Sequence, residues 1–522
     1  MIVTGRIQFE RIPFETTLGN GLDPDNLVLS PARGVVVDAI PAESSNPPPP
    51  PLATTTTNKE GVYAVAVPPN TNIFIRARAQ MVKSGSAPTW EFSVRNNTNG
   101  NALYVLDGTE FNTGSGVTRD LTAGSGWGGT TYTDVRAAAP FAILDTVYQA
   151  KELIHAVSSV SLPPLNLYWS PSNRPATPIC AQLGNISTTF YLSGNFTDSC
   201  GPLPEGIYIL GDFSIGDTDE FDQHVIAHEF GHYLEDKLSR SDSIGGSHGA
   251  GDRLDLRVAF GEGWGNAFSA MAMNDPVYRD SFDRVARDFN FSLELDTGTA
   301  EGWYSEASVG EILWDLFDPA NESGDSIELG FGPILDAMRN GQRTTSALTS
   351  IFSFLEALRD EVPAQSSAIN QLRNGEQISS TDAFGSGETN SGGDTLNLPV
   401  YRSVTLGAPQ QAFCVRVPSG ADIDNKLGFS RFFRLDLTTA RTVTIRVVGT
   451  VDPATPNSAA AQDPDVWVYK EGLTVAAGQQ LGQTEQLSQI SLSAGTYIIE
   501  VYDFDLVAGS TPRCMTITVT GT

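Results

Sequence analysis

The chain has 522 residues, too many for one hydrophobic core, so about two to four domains are expected. Its 61 acidic against 32 basic residues leave a formal charge of −29. That balance argues against nucleic acid and against an anionic membrane surface as partners, since both are held through Lys and Arg.

No run of 18 apolar residues is present to form a transmembrane helix. No secretory leader follows Met1, so a secreted, extracellular or cell-surface chain requires that its export signal was removed. A hydrophobic content of 40% fits globular structure, and 50 Gly with 31 Pro predict many turns and much β structure.

Residues 1–115 read as all-β. Short β-rich runs at 35–37, 62–67 and 72–77 are separated by turn signals. Ser44, Ser45 and Asn46 followed by prolines at 47–51 predict a stiff polyproline loop at the surface. The strings PARGVVVDAI and TTTTNKEGVYAVAVPPNTNIFIRARA resemble a carboxypeptidase-regulatory-like β-sandwich over roughly residues 25–80.

Residues 116–375 change character. Phe141, Leu144, Val147, Ala150, Leu153 and Ile154 carry helical periodicity over 137–157. Strand-like segments at 165–169, 188–192 and 206–210 follow, then helical segments at about 220–238, 255–273, 305–317 and 346–360. A small sheet followed by helices predicts an α+β domain. Residues 376–397, rich in Gly, Ser, Thr and Asp, read as a linker.

Residues 398–522 return to β, with half-buried alternation at 432–437, 443–448, 466–469, 496–502 and 515–519. The strings SRFFRLDL, DPDVWVYKEG and AGTYIIEVYDFD resemble the bacterial pre-peptidase C-terminal domain, a β-sandwich appended to secreted peptidases. Asp463, Asp465, Asp503 and Asp505 cluster around two of these strands. They read either as solvated loop acids or as oxygen ligands for Ca²⁺.

The four cysteines, Cys180, Cys200, Cys414 and Cys514, form no C-x-x-C pair, which argues against a thiolate metal site. Their even count suggests disulfides and an oxidising compartment, with buried free thiols as the alternative. Proximity in sequence favours Cys180–Cys200 with Cys414–Cys514 among three connectivities.

The segment with the clearest chemistry is His228-Glu229-Phe230-Gly231-His232. Residues i and i+4 share a helix face, so two imidazoles at this spacing can grip one Zn²⁺, and Glu229 can serve a metal-bound water as general base. A catalytic zinc needs a third protein ligand and one open position. No His follows His232 until His248, so a carboxylate is sought on a second helix. Glu262, 30 residues after His232, lies in Gly261-Glu262-Gly263-Trp264-Gly265-Asn266. Glycines on both sides of one Glu suggest that a neighbouring helix or a substrate chain comes close.

HEFGH followed by GEGWGNAF resembles the gluzincin metallopeptidases, which include thermolysin-like enzymes and fungalysins. The resemblance implies that His228, His232 and Glu262 are zinc ligands and Glu229 is the general base. In the family an acid often sits four residues after the third ligand, and a zinc-bound His usually donates its other N–H to such a carboxylate. Here that position is Asn266, which can accept the bond but carries no charge. Asp222 and His224 could frame the site, while Asp217 or Asp219 would cap the helix.

Thermolysin-like enzymes also stabilise the oxyanion with a downstream His and a Tyr, but no His follows residue 248 here. Tyr304 is the substitute, with an aromatic core role as its alternative. His248, on the glycine-rich loop between the two helices, either faces the cleft, bridges to an acid or is exposed. His155 is a structural residue of its helix. The strand at 206–210 could be the sheet edge to which an extended peptide adds.

The fold expected is multidomain. An α+β zincin-type metallopeptidase core (116–375) is flanked by two all-β sandwich domains, at 1–115 and, after the linker 376–397, at 398–522. The function expected is that of a secreted zinc metallopeptidase acting on protein or peptide substrates, with the β domains as surface or matrix attachments. A catalytically inactive zincin-fold binding or adhesion protein, and a hydrolase of non-peptide amides or esters, are the alternatives.

Overall fold

Alternating apolar residues set the first strand, β1 (Ile2–Arg11), where Val3, Ile7 and Phe9 are buried at every second or fourth position. The computed structural model describes the chain except residues 44–48, 115–116, 250, 296–299, 320–325, 421 and 451–461. The expected polyproline loop therefore lies largely outside the described residues. The chain divides into two units, Met1–Tyr233 with Phe268–Ser292, and Leu234–Ala267 with Leu293–Thr522.

In the first unit a large sheet contains β2 (Val35–Pro41), β3 (Asn72–Lys83), β4 (Trp90–Asn96), β5 (Leu165–Trp169), β6 (Phe190–Leu192) and β7 (Gly206–Ile209). Their spatial order is β6-β7-β5-β4-β3-β2. β4 and β5 pair in parallel, with Leu165 opposite Phe92. One sheet thus runs across residue 115, where sequence composition places a domain boundary. Such pairing joins segments far apart in the chain, and local composition carries no trace of it.

Helix α1 (Ala139–Val157) packs on β4 through a stripe that includes Phe141, Leu144, Val147 and Ile154. Each such fully buried side chain contributes about 2 kcal/mol. His155 of this helix bonds to the carbonyl of Val160 at 3.0 Å and packs on Trp90.

Strand β7 is not the sheet edge. β6 covers it in antiparallel register, with Phe190 opposite Tyr208, so β6 is the outer strand among the described residues. Helix α2 (Gln223–Leu238) carries the HEFGH segment and α3 (Leu256–Met273) carries Glu262. α2 passes from the first unit to the second after Tyr233, and α3 passes back after Ala267. The first unit ends in a hairpin of β8 (Val277–Phe282) and β9 (Arg287–Ser292).

The second unit holds α4 (Glu306–Asp315), α5 (Phe331–Ala337), α6 (Ile351–Glu361) and α7 (Ser366–Gly375). Its C-terminal part is built from β10 (Tyr401–Val404), β11 (Gln411–Val415), β12 (Arg431–Leu437), β13 (Arg441–Thr450), β14 (Pro464–Lys470), β15 (Leu473–Gly478), β16 (Thr484–Leu492), β17 (Gly495–Asp503) and β18 (Arg513–Gly521). Two sheets, β10-β12-β17-β14-β15 and β11-β18-β13-β16, enclose an apolar core that includes Phe433, Ile445, Val468, Ile499 and Ile517. This is a β-sandwich arrangement, as the resemblance of these strands implies.

Disulfides join Cys180 to Cys200 and Cys414 to Cys514, the pairing that sequence proximity favours. Segment 376–397 is not loose. The Glu388 carboxylate accepts hydrogen bonds from the backbone N–H groups of Ser379 and Ser380, at 2.9 and 3.1 Å. Among the described residues no helix is long and apolar enough to cross a membrane.

Candidate metal centre

On α2 the i, i+4 spacing stacks His228 over His232. Their Nε2 atoms lie 3.0 Å apart, with ring centroids 4.7 Å apart and planes near perpendicular at 82°. Two nitrogens sharing one tetrahedral Zn²⁺ at about 2.0–2.1 Å would stand about 3.3 Å apart, so the pair is close to a ligating geometry. One turn earlier His224 bonds to Ser269 Oγ at 3.2 Å and packs on Tyr278, which also meets the His228 ring edge-on at 6.2 Å. Burial lowers the pKa of His224 to about 4, so it is a neutral framing residue near pH 7.

Glu229 is almost fully buried, and its Oε2 accepts the backbone N–H of Tyr191 in β6 at 2.7 Å. The expected general base is therefore tied to the outermost strand of the sheet. That strand, not β7, is the outer strand at this end of the sheet among the described residues.

The acids ahead of α2 do not cap it as expected. The helix begins at Gln223, and the capping position belongs to Asp222, whose carbonyl accepts the N–H of Ile226 at 3.1 Å. Asp219 instead accepts the Thr189 hydroxyl, and Asp222 Oδ2 accepts the N–H of Ser281 at 2.7 Å. Burial raises the pKa of Asp217; burial first, then neighbouring carboxylates, raises those of Asp219, Asp222 and Asp280, the last to about 7.

In the second unit Glu262 is buried and fastened by His248. The His248 Nε2 lies 3.2 Å from Glu262 Oε2, and its Nδ1 lies 2.7 Å from Glu306 Oε2 at the start of α4. Burial opposes charge on this imidazole, but the two carboxylates prevail and push its pKa up to about 10. Of the three roles open to His248 in the sequence, bridging to an acid is the one observed.

Gly263, beside Glu262, is explained by α4. A Cβ on Gly263 would meet Val309 Cβ at 2.5 Å and the Glu306 carbonyl at 2.7 Å, so the close approach is that of a neighbouring helix. Asn266, also buried, lies along the same contact, 3.9 Å from where a Cβ of Gly310 would stand.

Residues 204–368 match the family model described as the Mycolysin C-terminal domain. The matched stretch contains His228, Glu229, His232, His248, Glu262 and Tyr304. That match points to a metallopeptidase-associated protein. No curated protein matches it.

Two solved structures are similar over part of the chain. One is the pre-peptidase C-terminal domain of collagenase from Bacillus anthracis, at 14% identity, covering 23% of this chain and 94% of that one with a TM-score of 0.17. The other is CorA, a surface-associated copper-binding protein of Methylomicrobium album BG8. It is 10% identical, covering 23% of this chain and 96% of that one with a TM-score of 0.18.

Within the mycolysin-like stretch Tyr304 is engaged by the fold. Its hydroxyl lies 2.9 Å from both the Glu301 carbonyl and Asn390 Oδ1, and the residue is 3% exposed. A phenol has one proton, and here acceptors of the fold engage it. The core alternative therefore describes Tyr304, which anchors residue 390 of the 376–397 segment. In the C-terminal sandwich Asp503 Oδ1 accepts the N–H groups of Asp463 and Asp505, at 3.0 and 3.1 Å. Asp465 lies beside Gln479, whose amide donates to it at 3.5 Å.

Proposed function

We propose that the chain is a secreted zinc-dependent metallopeptidase in which His228, His232 and Glu262 hold the metal. The observation that carries this reading is the pair of imidazoles one helical turn apart, with Nε2 atoms 3.0 Å apart and a buried carboxylate at the next residue. Imidazole and carboxylate donors suit Zn²⁺, and three protein ligands leave the open position that catalysis needs. Bound there, Zn²⁺ would polarise a peptide carbonyl and lower the pKa of a water to about 7.

Glu229 takes the proton from the attacking water and returns it to the leaving amine. Its bond from the Tyr191 N–H fixes the carboxylate beside β6. An extended substrate adding to the outer side of β6 through main-chain bonds would lie along the strand that holds the general base. His248 orients Glu262, and Asn266 stands one turn further along the same helix. The two disulfides and the lack of a membrane-crossing helix among the described residues agree with secretion. The β domains would attach the enzyme to a surface or large substrate.

A casein zymogram with and without chelator tests the reading, with chelator-sensitive clearing expected. The engagement of Tyr304 with Glu301 and Asn390 favours a second reading, a binding protein without turnover, since it removes the expected oxyanion donor. Full zinc occupancy with no cleavage of any peptide in a library would select that second reading.

A further inference from the structure

A cavity of about 410 Å³ lies within the second unit, beside the segment that leads into α3. Its size falls in the range of roughly 300–1,000 Å³ usual for small-ligand pockets. Stretches far apart in the chain form its walls, around His248 and Arg253, around Gly392 and Asp394, and around Asp422 and Lys426.

The charges of these walls are paired within the fold, with one exception. Lys426 Nζ lies 3.3 Å from Asp252 Oδ2. Asp394 is held by Arg416 at 2.7 Å, and Asp422 accepts the Ser247 hydroxyl at 2.8 Å. His248 is held between Glu262 and Glu306. Arg253 is exposed, and among the described residues no carboxylate pairs with its guanidinium. In a chain with 61 acids against 32 bases, an arginine left without an acid runs against the composition.

The backbone of Arg253 is fixed on both sides. Its carbonyl accepts the N–H of Leu427 at 2.8 Å, and the next residue, Leu254, donates to the Tyr304 carbonyl at 2.8 Å. Gly392 keeps the wall open. It sits at φ +63°, and a Cβ there would meet Leu427 Cδ2 at 2.5 Å, Tyr304 Cε1 at 3.1 Å and Arg253 Cδ at 3.3 Å. A planar fork of donors, placed by its backbone and free of acids, matches a carboxylate from outside the chain.

Resting on the peptidase reading above, we propose that Arg253 binds a carboxylate of the peptide substrate. That group comes from an acidic side chain or from the substrate's own C-terminus. The first source would favour cleavage near acidic residues inside a chain. The second would favour trimming from the C-terminal end. His248 links the cavity to the metal centre, since it lines the wall and its Nε2 lies 3.2 Å from Glu262 Oε2.

The test uses the full chain carrying Glu229→Gln and saturated with Zn²⁺, so that bound peptide is not consumed. Fluorescence anisotropy follows labelled peptides in matched pairs. One pair has an amidated C-terminus and differs by an internal Glu or Gln. The other has no acidic side chain and differs by a free or amidated C-terminus. The carboxylate-bearing member of one pair should bind about 10- to 100-fold more tightly, and which pair does so identifies the source. Arg253→Ala should erase the difference, Arg253→Lys should keep part of it, and Arg253→Glu should favour a Lys-containing peptide. Thermal unfolding of each variant separates loss of the site from loss of the fold.

Equal binding within both pairs, no binding, or a preference that survives Arg253→Ala would overturn the proposal. Cleavage is scored separately in the chain that retains Glu229. An Arg253-dependent preference without cleavage keeps the site and removes the peptidase reading. Cleavage without the preference keeps the peptidase and removes the site.

Discussion

Arg257 at the start of α3 grips Glu500 in β17 through two hydrogen bonds, of 2.9 and 2.8 Å, with both side chains nearly fully buried. Asp255 completes the cation, and Ser430 and Tyr469 complete the anion. The helix that carries Glu262 is therefore fastened to the C-terminal sandwich five residues before that residue. Removing one partner strands a buried charge, so Glu500→Ala should cost about 3 kcal/mol in denaturant unfolding. Replacing Arg257 and Glu500 together with apolar residues should cost less than Glu500→Ala alone.

The contact between α3 and α4 leaves no room at Gly263. Gly263→Ala should destabilise the chain by about 2 kcal/mol, because the new methyl would meet both Val309 and the Glu306 backbone. Gly375→Ala, at a helix terminus with nothing near its Cβ position, is the matching control and should be near neutral. Equal effects of the two substitutions in chemical denaturation would show that helix propensity, not close approach, governs this helix.

His248 holds Glu262 from one side and Glu306 from the other. His248→Ala frees the carboxylate to reorient, and zinc affinity should fall about 10- to 100-fold. Competition with a fluorescent chelator measures it. Unchanged affinity would make the bridge a purely structural tie.

His224 provides a pH signature. Its pKa in the folded chain is lowered to about 4, whereas an unfolded imidazole titrates near 6.5. A depressed folded value means that this stabilisation is complete above about pH 6.5 and is lost as pH falls toward 4. The loss amounts to about 3 kcal/mol. Unfolding midpoints between pH 4 and 7 should therefore fall more steeply for the wild type than for His224→Gln.

Much of this architecture is legible in the sequence because its signals are local. Apolar periodicity brings α1, α2, α3, α4 and α6 to within a few residues of their observed spans, and alternation marks the C-terminal strands as half-buried. The pairing of β4 with β5 is not legible, since it joins residues some 70 positions apart. The β8–β9 hairpin escapes notice for a different reason. Its turn places Asp283, Arg284 and Val285 at positive φ, without the Asn-Gly or Asp-Gly pair that usually announces such a turn. Asp280 rides on that hairpin, so its meeting with Asp217 and Asp219 emerges only in three dimensions. The roles of Glu229 and Glu262 are read from spacing, whereas their partners Tyr191 and His248 depend on tertiary packing.

In the proposed enzyme Glu229 moves the proton while His228, His232 and Glu262 hold zinc. The most direct measurement follows peptide cleavage as Zn²⁺ is added back to metal-stripped wild type and to Glu229→Gln, with bound zinc quantified in both. Wild-type activity should rise to a plateau at one zinc per chain. Glu229→Gln should bind the same single zinc and cleave at least about 1,000-fold more slowly. Cleavage that persists in the metal-stripped chain, or in Glu229→Gln at the wild-type rate, would contradict the account.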